Sequence, residues 1–214
     1  MNGFLSGMPL KEDGQLSPFF LSEKFRRLPR LETQRLLLRK VRRRDAADLF
    51  AYAQDPEVSR HVLWTAHRSL SDSRAFLSQL CRQYRLGLPA TFGIEEKESG
   101  RLIGTIGFMG VSAEHRYAEV GYSLARSRWN RGLMTEALQA VLRFAFETLE
   151  LNRVEAVHET DNPASGKVMA KAGMKPEGML RRRVCNKGHF SDVRMWAILR
   201  EDWLRQQEET NDHV

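Results

Sequence analysis

The chain has 214 residues, of which 42% are hydrophobic and 29% charged, and its formal net charge is +7 at pH 7. This composition is typical of a single globular domain. The sequence has neither an apolar run of about 18 residues nor a basic-then-apolar leader, so we predict no membrane span and expect a cytoplasmic protein. Cys81 and Cys185 lie far apart without metal-ligand spacing, which predicts neither a disulfide framework nor a zinc site.

The first half of the chain predicts two helices and four strands. Residues 1–30 show no sustained hydrophobic period, and we interpret them as an N-terminal extension. The pattern then predicts a buried strand at 36–38, a helix capped by Asp45, and a helix from about 71 to 87. Strands at 90–96, 101–109 and 118–124 follow and predict an antiparallel meander.

The second half alternates helices with strands. An amphipathic helix follows Gly132, a strand covers 153–158, a helix covers 163–172, and two terminal strands meet at Asn186-Lys187-Gly188. These elements predict one α/β domain over residues 31–203, with a mixed, mostly antiparallel sheet of about seven strands flanked by helices. Residues 204–214 are interpreted as a polar C-terminal tail.

The run from Trp129 to Ala137 joins a glycine-containing loop to the start of the amphipathic helix. The first amides of a helix lack intrahelical acceptors and favour negative charge, so this junction can hold a phosphate on its backbone. Gly132 leaves room for such a group. An ordinary loop–helix junction is the alternative, and the Walker and dinucleotide-binding glycine patterns are both absent.

A second polar segment, Asp161-Asn162-Pro163-Ala164-Ser165, follows the next strand. Asn162 and Ser165 can cap the following helix or donate to a ligand beside the first loop. The residues alone leave both roles open.

Seven motifs, in order, resemble those of the GNAT superfamily of N-acetyltransferases, and in particular its Rim-type branch, which acetylates ribosomal-protein alanine. The resemblance spans roughly residues 31 to 203 and implies a single GNAT-like domain. The motifs are Leu31 to Arg39, Asp55-Pro56-Glu57-Val58, Ala118 to Tyr122, Trp129 to Ala137, Asn152-Arg153-Val154, Asn162 to Ser165 with Lys171 to Met174, and Glu177 to Arg181.

This resemblance implies an acetyl-CoA site without a metal. The pyrophosphate would bind the backbone amides of the loop and the first helical turn, and the pantetheine arm would pair with the main chain of a central strand that separates from its neighbour. The implied loop contacts are Asn130, Arg131, Gly132, Leu133, Met134 and Thr135, and the implied arm contacts are Tyr122, Ser123, Leu124, Asn162 and Ser165.

Three positions depart from the family pattern. Trp129 and Met134 replace the usual first and last residues of the loop motif, which implies recognition through the backbone. Met169 stands where many relatives carry a tyrosine that protonates the departing thiolate. By the same resemblance, Ser165 or a bound water is the candidate donor.

Glu119 is the candidate general base, assisted by water, at the start of the central strand. The alternative is a surface carboxylate paired with Arg116. His158 and Glu159 end the next strand and are further candidates, although a histidine at a strand end is more often a hydrogen-bonded structural group.

The resemblance implies that the acceptor is the N-terminal alanine or serine amine of a ribosomal protein. An α-amino group, with pKa near 7.7 to 8.0, needs a weaker base than lysine, with pKa about 10.4. Aminoglycosides, polyamines and amino acids are alternative acceptors. A non-catalytic RNA-binding or ribosome-binding protein using the arginines of residues 39–44 and 181–183, or an acetyl-CoA sensor, is a further alternative. Nucleic acid is otherwise expected only as part of a ribosomal substrate, and both a monomer and a homodimer are compatible with the sequence.

Overall fold

The computed structural model describes residue 10 and residues 14–211, without the side chains of 210 and 211. Within these residues eight strands form one sheet. They are β1 (Leu31–Glu32), β2 (Leu36–Arg39), β3 (Thr91–Glu96), β4 (Leu102–Ser112), β5 (Tyr117–Leu124), β6 (Arg153–Glu159), β7 (Lys175–Asn186) and β8 (His189–Leu199).

Seven α-helices connect and cover the strands in the same part of the chain. They are α1 (Pro18–Arg26), α2 (Ala46–Ala53), α3 (Pro56–Ser59), α4 (Leu70–Leu86), α5 (Leu133–Arg143), α6 (Pro163–Lys171) and α7 (Arg200–Asn211). A π-helical turn, Phe144–Thr148, extends α5, and short 3-10 turns at Arg43–Asp45 and Arg126–Arg128 precede α2 and the loop before α5.

The strand order is β1-β2-β3-β4-β5-β6-β8-β7, and every neighbouring pair is antiparallel except β5 with β6. That parallel pair is short, because it joins Tyr117, Ala118 and Glu119 to Arg153, Val154 and Glu155 and then ends. Both strands continue beyond this point while they remain paired to their other neighbours, β4 and β8. The sheet therefore splits in its middle, and we call the opening the β5–β6 split.

Helices cover both faces of the sheet. On one face α2 packs on β4, α3 on β5, and α4 on α2. On the other face α5 packs on β2 and β4, and α6 packs on β6 and α5. The amphipathic pattern of α5 explains its place, since Ala137, Leu138 and Val141 point into the core and are fully buried.

The predicted α/β fold with a mixed, mostly antiparallel sheet is confirmed. The sheet has eight strands because the two-residue β1 pairs with β2, a pairing too short to leave a sequence pattern. Three helices were not predicted: α1 lies in the expected N-terminal extension, α3 follows Asp55, and α7 crosses the expected boundary at residue 203.

Part of the expected extension packs on the domain. Leu16, Leu21, Phe25 and Leu28 are buried, and the Phe25 ring lies 5.6 Å from that of Phe108 on β4. The remainder of residues 1–13, apart from residue 10, and residues 212–214 of the expected tail lie outside the described residues. None of the described helices combines the length and the apolar character that crossing a bilayer requires.

The predicted helix cap at Asp45 takes a different form. Its side chain does not cap α2. Instead the carboxylate accepts from the amide of Arg42 at 2.7 Å and pairs with the buried guanidinium of Arg39 at 2.8 Å. Asp45 thus closes the 3-10 turn before α2 and neutralises a buried cation.

Candidate active site

The β5–β6 split exposes strand main chain inside the sheet. Beyond Glu119, the residues of β5 from Val120 to Leu124 have β4 on one side and no strand on the other. Free backbone N–H and C=O groups on a strand edge can pair with any extended chain that carries amides. The split can therefore hold an extended, amide-containing ligand, and the stretch of β5 that borders it includes Tyr122, Ser123 and Leu124.

The loop after β5 presents free amides at the same end of the split. Asn130 and Gly132 both adopt left-handed backbone, with φ of 59° and 75°, and Gly132 immediately precedes α5. Among the described residues, no acceptor bonds the amides of Leu133, Met134 or Thr135, and the first helical bond runs from Glu136 N to Gly132 O at 3.1 Å. With the helix dipole, these amides can accept an anion.

An ion pair holds this loop against β2. Arg35 binds Glu136 through its Nε at 2.7 Å and also donates to the carbonyl of Arg131 at 2.9 Å. Burial would raise the pKa of Glu136, but hydrogen bonds from Thr33 and Arg35 outweigh that effect and the pKa is lowered. Arg35 therefore neutralises a carboxylate that would otherwise repel an anion in the first turn of α5.

Trp129, the first departure from the family loop pattern, has a structural role. Its indole N–H donates to the carbonyl of Leu124 at 2.8 Å, which ties the loop to the last residue of β5. Ala125 N donates to the carbonyl of Ile103, so in the same register the main chain of Ser123 faces β4, contrary to expectation, while that of Tyr122 and Leu124 faces the split. Since the Leu124 carbonyl is already engaged, the free main chain on this side lies at Tyr122 and at the Leu124 amide. Met134, the second departure, is buried beneath α5 and can offer a ligand only its amide.

The wall of the split on the α6 side is built from Tyr122 and Ser165. The Tyr122 hydroxyl lies 2.8 Å from Ser165 Oγ and 3.2 Å from the Ser165 carbonyl oxygen. Asn162 caps α6, because its Oδ1 accepts from Ser165 N at 3.4 Å. Capping is thus observed for Asn162, while the Ser165 hydroxyl faces Tyr122 across the split. Met169 is fully buried and carries no group that can donate a proton.

The opposite wall, on the α3 side, carries Glu119. Because side chains alternate along a strand, Glu119 lies on the face opposite Tyr122. It stands beside Glu155 of β6 in the last residue pair before the split opens. Burial, and next the charge of Glu155, raise the pKa of Glu119, and Arg183 lowers it in part. The alternative partner Arg116 is not in contact with it, since its guanidinium donates to the carbonyl of Glu150 at 2.8 Å.

The two residues that end β6 point in opposite directions. His158 is buried under α6, where a Cβ on Gly166 would lie 2.7 Å from its Nε2, and its Nδ1 is 2.8 Å from the carbonyl of Glu159. This supports the structural interpretation of His158. Glu159 faces the α3 side and binds His61 Nδ1 at 2.7 Å and Asn186 Nδ2 at 3.0 Å.

The turn between β7 and β8 closes the α3 side of the site. Lys187 Nζ donates to the carbonyls of Ser59 and Val62, each at 2.8 Å, and Asn186 also donates to the carbonyl of Arg60 at 3.2 Å. These contacts attach the hairpin to the segment that follows α3. An acceptor that approaches Glu119 would lie between these two segments.

One group of potential metal ligands occurs among the described residues, formed by His61, Glu159 and Asp161. Both oxygens of Glu159 already accept hydrogen bonds, from His61 and Asn186, and Asp161 is exposed. A carboxylate satisfied in this way is a structural junction between α3 and the hairpin, and we assign no metal to it.

Sequence reasoning missed Glu155, His61, Asn186 and the hydroxyl of Tyr122. A pattern along one segment does not give the register between β5 and β6 or the contact between α3 and β6. An acidic residue on each of two neighbouring predicted strands was the only signal for Glu155.

Comparison with known proteins is consistent with this geometry. A family model described as "Acetyltransferase (GNAT) domain" matches residues 35–175. The chain is 33% identical to the uncharacterized N-acetyltransferase YoaA of Bacillus subtilis over 172 residues, which cover 80% of this chain and 97% of the relative. It is 30% identical to the ribosomal protein uS5-alanine N-acetyltransferase of Escherichia coli over 182 residues, covering 81% and 92% of the two chains.

A solved structure shares the architecture. The crystal structure of a GNAT-family acetyltransferase from Bacillus anthracis superposes with a TM-score of 0.72 at 26% identity, covering 81% of this chain and 99% of that one. The family match spans both walls of the split and the whole loop before α5. With the split strands, the free amides before α5 and these similarities, the chain belongs to the GNAT acetyltransferase family and is an acetyl-CoA-dependent N-acetyltransferase.

Proposed function

We propose that this enzyme acetylates the N-terminal α-amine of a protein, with the alanine or serine terminus of a ribosomal protein as acceptor. The observation that carries the proposal is the position of Glu119 on the α3 wall, at the point where β5 and β6 separate. The similarity to the E. coli alanine N-acetyltransferase supports the acceptor class.

In this proposal acetyl-CoA lies in the β5–β6 split. Its pyrophosphate binds the amides from Asn130 to Thr135, and its pantetheine arm pairs with the main chain that faces the split at Tyr122 and Leu124. Asn162 contacts the same arm through its Nδ2, which is the part of the side chain that capping leaves unused. The electropositive end of α5 and the open edge of β5 are the features that support this placement.

Glu119 is then the general base, directly or through one water. The acceptor amine enters from the α3 side, loses a proton towards Glu119, and attacks the thioester carbonyl carbon, which acetyl-CoA supplies. Ser165 lies on the other wall, where the sulfur departs, and is the candidate hydrogen-bond donor to it. The raised pKa of Glu119 supports this role, because a carboxylate with a higher pKa is a stronger base.

The α-amine is favoured over lysine on energetic grounds. Deprotonation of a lysine side chain near neutral pH costs roughly 3.5 kcal/mol more than that of an α-amine. On the α3 wall, Glu119 lies beside Glu155. Burial and the charge of Glu155 raise the pKa of Glu119, which makes it a stronger base. A single carboxylate base is adequate for an amine that is already partly neutral at pH 7.

An acceptor screen tests the proposal. Thiol release from acetyl-CoA is measured with two peptides of one sequence that begin with Ala or Ser, and peptide mass confirms the added acetyl group. The matched control is the same peptide with a blocked N-terminus and a free internal lysine. Turnover of the free peptides alone is expected, and turnover only with spermidine, an aminoglycoside or an amino acid would replace the protein acceptor with a small amine.

The RNA-binding alternative is tested in the same samples. Arg39, the first cation of the first basic cluster, is 4% exposed and paired with Asp45 and Glu95, so it is not available to phosphates. Salt-sensitive RNA binding without thermal stabilisation by acetyl-CoA would contradict the proposed function, and stabilisation without turnover of any amine would indicate a sensor.

A further inference from the structure

We propose that Tyr122 is a positioning residue, whose hydroxyl orients the Ser165 hydroxyl towards the sulfur of the departing coenzyme. The proposal rests on the proposed function, in which acetyl-CoA occupies the β5–β6 split. The new element is a role for the Tyr122 side chain on β5, which orients the hydroxyl of Ser165 on α6.

The contact bridges the split at its open end. Tyr122 is on β5 and Ser165 is in the first turn of α6, which begins after β6 has diverged. Their hydroxyl oxygens are 2.8 Å apart, while the Tyr122 oxygen is 3.2 Å from the Ser165 carbonyl. This pair is therefore a contact between two elements that the strand ladder does not join at this level.

The direction of this hydrogen bond is part of the proposal, because either hydroxyl can donate across the 2.8 Å contact and the Tyr122 hydroxyl can also donate to the Ser165 carbonyl at 3.2 Å. The proposal assigns the Tyr122 hydrogen to the shorter contact. Each hydroxyl has one hydrogen to donate. When Tyr122 donates across the shorter contact, Ser165 Oγ is the acceptor and its own hydrogen is left to point into the split. A donor that is itself an acceptor in a chain of hydrogen bonds is polarised and donates more strongly. Tyr122 thus orients the Ser165 O–H and strengthens it as a donor.

Following the protons through the reaction shows what the Ser165 hydroxyl does. The amine forms a C–N bond and gives one proton to Glu119 or its water, while the C–S bond breaks and sulfur takes the electron pair. Burial raises the pKa of Tyr122 to about 12, even with the bond to Ser165. A thiol has a pKa near 8.5, so Tyr122 keeps its proton and the pair stabilises a thiolate. The proton released by the amine later neutralises the sulfur through solvent.

A double-mutant cycle with the full chain tests the assignment. We expect Tyr122→Phe and Ser165→Ala each to lower kcat by about 10-fold or more, the effect of one hydrogen bond to a charged group. The Kd for acetyl-CoA should change little, because in the proposed binding mode the arm is held by the main chain of β5 and by Asn162, and the Ser165 hydroxyl contacts only the departing sulfur. The double variant should be no slower than Ser165→Ala, because Tyr122 acts only through Ser165.

Tyr84→Phe is the matched control. It deletes another buried tyrosine hydroxyl, which donates to the carbonyl of Thr91 at 2.6 Å and accepts from the amide of Val41 at 3.1 Å, away from the split. It should lower thermal stability without lowering kcat. This separates loss of a structural hydrogen bond from loss of the proposed donor.

Each other outcome overturns the proposal. An unchanged kcat for Tyr122→Phe or Ser165→Ala removes the role of that hydroxyl, and effects that multiply in the double variant assign Tyr122 a separate role. A rise in Kd for acetyl-CoA with unchanged kcat would make the contact purely structural. A wild-type enzyme that neither binds acetyl-CoA nor acetylates any amine would overturn the proposed function as well, so the two failures are distinguishable.

Discussion

Glu119 and Glu155 lie side by side on the parallel strands β5 and β6, at the last residue pair before the strands separate. Arg153 donates to Glu155 at 2.9 Å and also binds Glu177 at 2.6 Å. No residue in the described part of the chain pairs with Glu119 in this way, and the charges that act on Glu119 are those of Glu155 and Arg183. This asymmetry distinguishes the two carboxylates and makes Glu119 the one proposed as the base.

The pH dependence of catalysis should follow Glu119. Burial first and the charge of Glu155 second raise its pKa, so the acidic limb of kcat/KM should lie above the ordinary glutamate value of about 4.3. Glu155→Gln removes the neighbouring charge and should shift this limb to lower pH. Glu177→Gln, in the same network but not among the groups that act on Glu119, should leave the limb in place. An unshifted limb in Glu155→Gln would exclude Glu119 as the titrating base.

Glu119→Gln should lower activity and raise stability. Loss of a general base costs about 100-fold or more in kcat. The folded-state pKa lies above the unfolded one, so the folded state binds more protons between them and stability falls as pH rises through that window. Above the folded-state pKa the charged Glu119 is destabilising, and glutamine removes that effect. A higher Tm at pH 7, with no such difference below the ordinary glutamate pKa, is expected from thermal unfolding.

Gly132→Val should weaken acetyl-CoA binding by about 10-fold or more, because left-handed backbone is strained for a β-branched residue and its side chain enters the anion site. Arg131→Ala should change the Kd by less than about threefold, since the loop offers its backbone. Isothermal titration measures both. Equal losses would show that the Arg131 side chain carries the binding.

Gly100→Val is the control for strain. Gly100 has φ +65°, close to the +75° of Gly132, and a Cβ there meets nothing within 4 Å. A Cβ on Gly132 is also accommodated, with Arg35 Nη2 the nearest atom at 3.5 Å. The two variants should therefore lose similar stability while only Gly132→Val loses affinity for acetyl-CoA.

Glu159→Gln should raise the KM for the acceptor and leave the Kd for acetyl-CoA unchanged. The change replaces the carboxylate oxygen that bonds His61 Nδ1 but keeps an oxygen for Asn186, so it loosens the contact between the α3 segment and the hairpin. Asp161→Asn, an exposed neighbour 3.7 Å from His61, is the control and should have little effect. EDTA should not alter either enzyme, and inhibition by EDTA would restore the metal interpretation of this cluster.

Asp45→Ala should destabilise the fold by about 3 to 5 kcal/mol, because it leaves the buried Arg39 with Glu95 as its remaining carboxylate. The exposed pair of Glu23 with Arg26 is the comparison, and Glu23→Ala should cost at most about 1 kcal/mol. Urea unfolding measures both variants. A loss below about 1 kcal/mol for Asp45→Ala would show that the buried cation does not depend on this partner.

The sequence could predict the junction between the glycine loop and α5, because its signals are local. Gly132 and the apolar period of the following helix are adjacent in the chain, and both have the predicted place. The strands themselves were also predictable from alternation and turns. The sequence alone also shows that Met169 has no proton to donate. In the structure its side chain is buried.

The rest of the site depends on contacts between distant segments. Tyr122 and Ser165 are 43 residues apart, and His61 and Glu159 are 98 apart. β5 separates from β6 while each remains paired with its outer neighbour, β4 or β8, so no residue pattern within either strand predicts the separation. The alternative pairing of Glu119 with Arg116 was equally reasonable by spacing, and only the carbonyl of Glu150 shows where Arg116 binds.

The unpaired stretch of β5 is an edge strand enclosed within a sheet. Edge strands invite pairing with other chains, and most proteins cover them permanently. In the proposed binding mode the coenzyme takes the place of a missing strand, so it completes the secondary structure as well as supplying the acetyl group. At 100 times its Kd the ligand would stabilise the fold by about 2.7 kcal/mol, and the enzyme without it should be the form more prone to aggregation.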